Sequence, residues 1–211
     1  MGVTCVVRTE RWDVDAKLSV LGVRRDAISA AVLRGEAARK SATVNHPVTS
    51  PGFLAWSDTT AALRMELLKD GWRRCRDGGL ETVVSPDGRV AIAVSGGDSD
   101  TGIASAPPRT KNAKGACSIA AIEQNQIELT PDDPTEFDLD AMPAGCQTWF
   151  LLLFSSGESV RCELSLPVSV GEDRRVDSWS DRLILDPLML EHVLSIDHVP
   201  PIVVDVFPRA Q

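Results

Sequence analysis

The chain contains no tyrosine, and its aromatic share is only 5% of 211 residues. Single-stranded nucleic-acid binders stack bases on aromatic platforms, so that mode of binding lacks its material here. Histidine is scarce. His192 and His198 stand six residues apart with no cysteine between them, a poor spacing for zinc, and His46 precedes a proline in a loop. The five cysteines, Cys5, Cys75, Cys117, Cys146 and Cys162, are odd in number and form no C-x-x-C pair. Reduced, mostly buried thiols in a cytoplasmic protein are the expected state, and no signal-peptide pattern opens the sequence. Apolar runs such as Trp149–Phe154 are far shorter than the ~20 residues that span a bilayer. Neither G-x-x-x-x-G-K-[ST] nor G-x-S-x-G occurs, so no phosphate loop or serine elbow is written in the chain, and no cofactor is implied.

What the sequence does have is a globular composition, 43% hydrophobic and 25% charged, with a net charge of −8. The charge is uneven. Residues 1–41 hold eight Lys/Arg against five Asp/Glu, a balance of +3, and the remainder holds fourteen against twenty-five, or −11. Nucleic acid could therefore approach only the basic N-terminal part. The acidic bulk favours solubility and a basic partner.

Apolar spacing predicts a short helix through Leu21, capped by Asp13 or Asp15, and a second from Ala27 to about Lys40, capped by Asp26. Two prolines and a glycine make residues 45–53 a loop. A third helix is expected over 57–70, with Ser57 or Asp58 as cap, and a basic connection follows it. Leu80–Val84 and Arg89–Val94, joined by Ser85–Gly88, read as a β-hairpin. Residues 96–115 lack periodicity and read as a long loop. A helix is expected over 116–126, then an exposed acidic connection: Glu123–Asp140 carries seven acids and no base. Residues 146–154 are a central strand. Residues 159–170 alternate, with Val160, Cys162, Leu164 and Leu166 on one side and Arg161, Glu163 and Ser165 on the other. A fifth strand over 178–185, a helix over 186–194 and an extended apolar tail complete the chain.

The expected class is α+β: a mostly antiparallel sheet of about five strands, with helices packed on one face and a helical N-terminal hairpin. Residues 1–44 form the helical appendage and residues 45–211 the core domain.

Five constellations bear on function. Leu21–Gly35 is similar to the helix-turn-helix of bacterial repressors, with Gly22 in the turn and Ile28 locking the second helix. Arg24 and Arg25 would meet phosphates, with Ser29 and Arg34 near the bases. Leu18 departs from the motif, standing where helix–helix approach needs a small residue. Asp98 and Asp100 offer hard oxygen ligands after a strand, though the EF-hand pattern fails for want of a following glutamate. Glu66, Asp87 or Asp98, and Glu163 fall in the helix–hairpin–strand order of magnesium-dependent nucleases. Ser165 stands where those enzymes carry a lysine, and Lys111 and Lys114 are on a loop. The plainer expectation for Glu163 is an outward position in the row of Arg161. No recognisable nucleophile accompanies the histidines. Lastly, the loop 96–115 with Lys111 and Lys114, and the acidic segment with Asp132 and Asp133, are candidates for partner contact.

Several phrases together, among them "DGW" (70–72), "SPDGRVAIAV" (85–94), "AAIEQNQIEL" (120–129), "TWFLLLF" (148–154), "VRCELSLP" (160–167) and "SWSDRLIL" (178–185), resemble an uncharacterised family of bacterial proteins met on plasmids and other mobile elements. The resemblance covers most of residues 56–190 and carries no catalytic residue. It implies a bacterial cytoplasmic protein connected with phage defence or element maintenance. The functional expectation is a non-enzymatic accessory or interaction protein with a protein partner. A DNA-binding regulator using residues 13–40 and a metal-dependent nuclease or hydrolase are the alternatives.

Overall fold

A computed structural model describes residues 4–126, 142–143 and 145–190. Its elements are β1 (Val6–Arg8), α1 (Arg11–Val20), α2 (Arg25–Lys40), α3 (Ser50–Leu68), β2 (Arg73–Asp77), β3 (Leu80–Val84), β4 (Val90–Gly96), α4 (Ala116–Gln124), β5 (Gln147–Ser155), β6 (Ser159–Val170), β7 (Val176–Ile184) and β8 (Leu188–Met189).

The strands form one sheet in the order β1-β7-β6-β5-β4-β3-β2, with β8 pairing to β6. Two antiparallel meanders, β2-β3-β4 and β5-β6-β7, lie side by side. They meet at a parallel seam, where Val90 faces Gln147 and Gly96 faces Leu153. A parallel neighbour needs a long crossover, and residues 97–146, containing α4, supply it. The strand β1 joins β7, also in parallel. The sheet is therefore mixed and larger than the antiparallel five strands expected, within the same α+β class.

Three of the strands, β1, β2 and β8, are not foreseen in the sequence pattern, the first two because their signals are weak. The stretch Arg73–Asp77 carries almost no apolar alternation, and its pattern gives a basic connection. It is a strand because Gly78 (φ 52°) and Gly79 (φ 88°) form a two-residue turn of the kind that closes tight hairpins, and Asp77 pairs with Leu80 across it. The three-residue β1 is too short to show a period. The helix α3 begins at Ser50 rather than Ser57. Pro51 sits in the first turn, where a missing N–H breaks no intrahelical bond. At the other end, the helix expected over 186–194 is not formed in its described part. β7 ends at Ile184 opposite Glu163, leaving Ser159 and Val160 of β6 uncovered, and Met189 and Leu188 pair there instead. Sheet pairing outweighs the Asp-Pro start signal. Residues 191–194 and the apolar tail after them lie outside the described residues.

The sheet is covered on both faces. On one, α1, α2 and α3 bury Val14, Leu18, Ile28, Val32, Leu63 and Leu67 against Ile92, Trp149, Leu151, Leu164 and Leu183. Residues from both sides of position 44 share this cluster, and α2 and α3 cross closely. A Cβ on Gly35 would lie 1.9 Å from Thr59 Oγ1 and 2.7 Å from the Ala55 carbonyl oxygen. On the other face, Ala93, Phe150, Leu152, Val176 and Trp179 pack with Ile122 of α4. The helices are thus split between the faces, because the crossover that builds the parallel seam must pass over the side left open by α1–α3.

Candidate functional site

Beyond Gly96 the chain runs as a loop across that second face to α4, and it is bolted down along its length. Asp98 accepts the Asp100 N–H at 3.1 Å with one oxygen and the Arg109 N–H at 3.0 Å with the other. The Thr110 N–H donates to the Val176 carbonyl at 3.1 Å, and the Val176 N–H donates to Thr110 Oγ1 at 3.1 Å. Trp179 Nε1 donates to the Pro108 carbonyl at 2.8 Å. Arg109 pairs with Asp173 at 2.8 Å.

The centre of this arrangement is Glu163 on β6. Strand alternation puts Cys162 and Leu164 toward α1–α3, and Glu163 and Ser165 on the opposite side, as the sequence pattern predicts. That opposite side is not solvent: the loop covers it, and Glu163 is 0% exposed. The expected outward glutamate is therefore corrected to a buried one. Its carboxylate accepts Arg182 Nη2 at 2.7 Å, Arg182 Nε at 3.0 Å, Ser165 Oγ at 2.7 Å and the Gly102 N–H at 2.8 Å. Arg182, 2% exposed, also donates to the carbonyls of Ala106 and Ile103 at 2.9 and 3.0 Å. A buried carboxylate is tolerable only when paired and hydrogen-bonded, and here both conditions are met.

The nuclease-like trio is not assembled. Glu163 is saturated by Arg182 and its neighbours. Ser165, at the position of the missing lysine, donates to Glu163. Asp87 caps its own turn through Ser85 Oγ at 2.6 Å and the Arg89 N–H at 3.1 Å, and that hydroxyl bond first, then the backbone one, holds its carboxyl below the usual range. Glu66 pairs with Lys69 at 2.7 Å. Asp98 spends both oxygens on loop N–H groups, while Asp100 lies beside it on the loop, half-buried. Among the described residues, no three of His, Cys, Asp and Glu come together as metal ligands would.

Lys111 is exposed, and its N–H donates to the Gly96 carbonyl at 2.8 Å. Lys114 differs. Its Nζ donates to Ser95 Oγ at 2.6 Å and lies 5.2 Å from the centre of the Phe150 ring. Burial pushes its pKa down from 10.5 to about 8. Asp132, Asp133, His192 and His198 lie outside the described residues. His46 accepts the Thr43 N–H at 3.0 Å within its loop, a capping role.

The DNA-contact candidates are held within the fold. Gly22 takes φ 70° in the turn between α1 and α2, as the motif requires. Yet Arg24 pairs with Asp26 at 2.8 Å, Asp70 at 3.1 Å and Glu66 at 3.6 Å. Arg25 pairs with Asp15 at 2.6 Å and Asp186 at 3.4 Å. Arg34 reaches Asp58 at 3.6 Å, and Ser29 is half-buried. Leu18 is a core residue, 1% exposed.

Sequence reasoning missed Arg182, whose only signal was an arginine in an otherwise strand-like run. It also missed Arg64, which ties α3 to the sheet through Glu81 at 2.7 Å and the Thr82 carbonyl at 2.9 Å. Glu36, 2% exposed and bonded to Arg39 and Ser155 Oγ, is a second buried acid on a helix face that otherwise reads as apolar. No helix among the described residues is long and apolar enough to cross a membrane. Comparison with known proteins returns no matching family model, no matching curated protein and no matching solved structure.

Proposed function

We propose that the protein is a non-enzymatic accessory protein that acts by holding a protein partner in the cytoplasm of a bacterium, in a mobile-element or phage-defence system. The observation that carries this reading is the use made of Glu163: its carboxylate is taken up by Arg182, Ser165 and the Gly102 N–H, and with Arg182 it fixes the loop that a hydrolase would use for chemistry. The face beneath that loop is cement rather than a cleft.

The outer surface has what contact requires. Trp12 is 73% exposed on α1, and Phe53, Met65 and Leu68 are 61%, 67% and 41% exposed on α3. Large exposed apolar side chains on rigid elements are typical anchors of protein contacts. The mobile-element setting rests on the resemblance of the six phrases given above.

The test is affinity capture from the native host with the wild type and with Phe53→Ser/Met65→Ser. A stoichiometric protein retained by the wild type and lost by the variant supports the reading. Turnover of a nucleic acid or ester substrate by the pure protein, abolished by Asp98→Ala, overturns it in favour of the hydrolase.

The regulator remains a second reading because the Gly22 turn has the geometry the motif needs. Its difficulty is that Arg24 and Arg25 are already neutralised by five carboxylates of the same chain.

A further inference from the structure

The loop 96–115 ends near a lysine whose surroundings differ from those of the others. The chain has five lysines. Lys17 pairs with Asp181 at 3.3 Å and Lys69 with Glu66 at 2.7 Å, while Lys40 and Lys111 are exposed. Lys114 is half-buried and forms no ion pair among the described residues. Its Nζ meets Ser95 Oγ at 2.6 Å and lies 5.2 Å from the centre of the Phe150 ring.

The sheet register sets this cluster. Ala93 faces Phe150 and Ser95 faces Leu152, so Ser95 and Phe150 share the face that α4 covers, and both are buried. The Lys114 N–H donates to the Arg174 carbonyl at 2.8 Å, which anchors its backbone above them. The outer approach stays open, because Asn112, Ala113, Gly115 and Ala116 are exposed.

An ammonium half-buried with one neutral hydroxyl for a partner is penalised, and it relieves the penalty by releasing its proton. Burial alone lowers this pKa, from 10.5 to about 8. At pH 7.5 about a quarter of such a group is the free amine, against about one part in a thousand for a lysine at its ordinary value. The free amine is the nucleophile, and desolvation against apolar groups is a recognised way to activate a lysine.

We propose that Lys114 is a covalent acylation site, its Nζ taking a small acyl group from a thioester or an acyl phosphate. The amine lone pair attacks the carbonyl carbon and a C–N bond forms. The C–S or C–O bond to the carrier breaks, the thiolate or phosphate leaves with the electron pair, and the nitrogen releases one proton to solvent. The product suits the site. A neutral amide keeps one N–H for Ser95 Oγ and sets no charge against Phe150. An aldehyde would instead give an imine, which takes up a proton and restores the buried charge. The event is a single stoichiometric modification, not turnover.

The test incubates the folded full chain at pH 7.5 with acetyl phosphate in one arm and acetyl-coenzyme A in the other, and follows each lysine by peptide mass spectrometry. In at least one arm Lys114 should be acetylated at least about tenfold faster than Lys40 and Lys111, although those two are more exposed. The advantage should vanish in concentrated urea. Lys111→Arg should leave the Lys114 rate unchanged, and the acetylated protein should melt no lower than the unmodified one.

Equal or slower labelling of Lys114 in both arms overturns the proposal. So does a preference that persists in urea, which would come from local sequence rather than from the fold. A lower melting temperature after acetylation also overturns it, because Ser95 and Phe150 would then leave no room for the amide. A preference in one arm alone supports the proposal and identifies the carrier, and a preference in both supports it for either carrier. The accessory reading is tested elsewhere on the molecule, through Phe53 and Met65, so either result can stand without the other.

Discussion

Arg182 sits directly opposite Ser165 in the β6–β7 register, and its guanidinium reaches diagonally to Glu163, two residues along, placing Nη2 2.7 Å and Nε 3.0 Å from the two carboxylate oxygens. Both side chains are essentially inaccessible, and together they hold Gly102, Ile103 and Ala106.

Breaking this pair from either side leaves a buried charge without its counterion. Glu163→Ala and Arg182→Ala should each destabilise the fold by about 3–5 kcal/mol. Glu163→Ala/Arg182→Ala should cost less than the sum of its single variants, because no orphaned charge remains. Urea melts of the four proteins measure the coupling. Simple additivity would mean the two groups act independently, against the geometry.

The Lys114 ammonium contributes a pH dependence of definite sign. Its folded pKa is depressed to about 8 from 10.5. Below pH 8 the amine is charged in both states and the burial penalty is felt in full. Between pH 8 and 10.5 the unfolded chain still binds a proton that the folded chain has released, so this group's contribution to stability rises with pH. Cys146 and Cys162 act oppositely at the alkaline end. Burial first, and then neighbouring charge, raises both thiols to about 12, so their contribution is present below pH 9 and is lost between 9 and 12. Comparing wild type with Lys114→Met removes the shared cysteine effect. The wild type should gain about 2–3 kcal/mol on the variant between pH 7 and 10.5. A pH-independent difference would contradict a depressed lysine.

For the arginines of the first helical pair, charge reversal should be read in stability rather than in binding. Arg24→Glu/Arg25→Glu places two new acids among Asp15, Asp26, Glu66, Asp70 and Asp186. The melting temperature should fall, and more at low salt than at high salt. An electrophoretic shift of duplex DNA by micromolar wild type, removed by this variant without loss of stability, would instead restore the regulator.

Gly35→Ala poses a contest between two effects. An alanine in a helix interior is favoured over glycine by about 1 kcal/mol. The new methyl would meet Thr59 Oγ1 at 1.9 Å and the Ala55 carbonyl at 2.7 Å, and the latter is backbone that cannot swing aside. Forcing α2 and α3 apart costs about 1–3 kcal/mol, so net destabilisation is expected. Gly35→Ala/Thr59→Ala should recover part of it. A more stable single variant would show that the helices separate freely.

The strands visible in the sequence were those whose side chains alternate or form a dense apolar run. Leu164 and Leu166 of β6 and the run Trp149–Phe154 of β5 are of this kind, and so is the proline-glycine turn before β4. The strand β2 was hidden because an edge beside a helix is specified by its turn and by arginine contacts, neither of which has a hydrophobic period. The fate of Glu163 was hidden for a different reason. Alternation reveals which side of a sheet a residue occupies, but not whether a loop sixty residues earlier will lie over that side. The loop 96–115 was legible from its lack of periodicity, and Asp98, Lys111 and Lys114 were legible on it as separate candidates. Arg182, which holds the loop through Ile103 and Ala106, was not legible, since an isolated arginine in a strand looks the same whether it meets water or a buried acid.

The parallel seam has a consequence for the order in which the molecule assembles. Each three-strand meander closes through short turns, so its contacts are local and can form early. The β4–β5 ladder must wait until the whole crossover has been looped back, an entropic toll that grows with the length of chain enclosed. The seam lies mid-sheet, so until it zips neither half has its neighbour, and edges that are interior in the finished protein stay bare. Late annealing at the centre should make this joint slower to form than either meander and a place where kinetic trapping is expected.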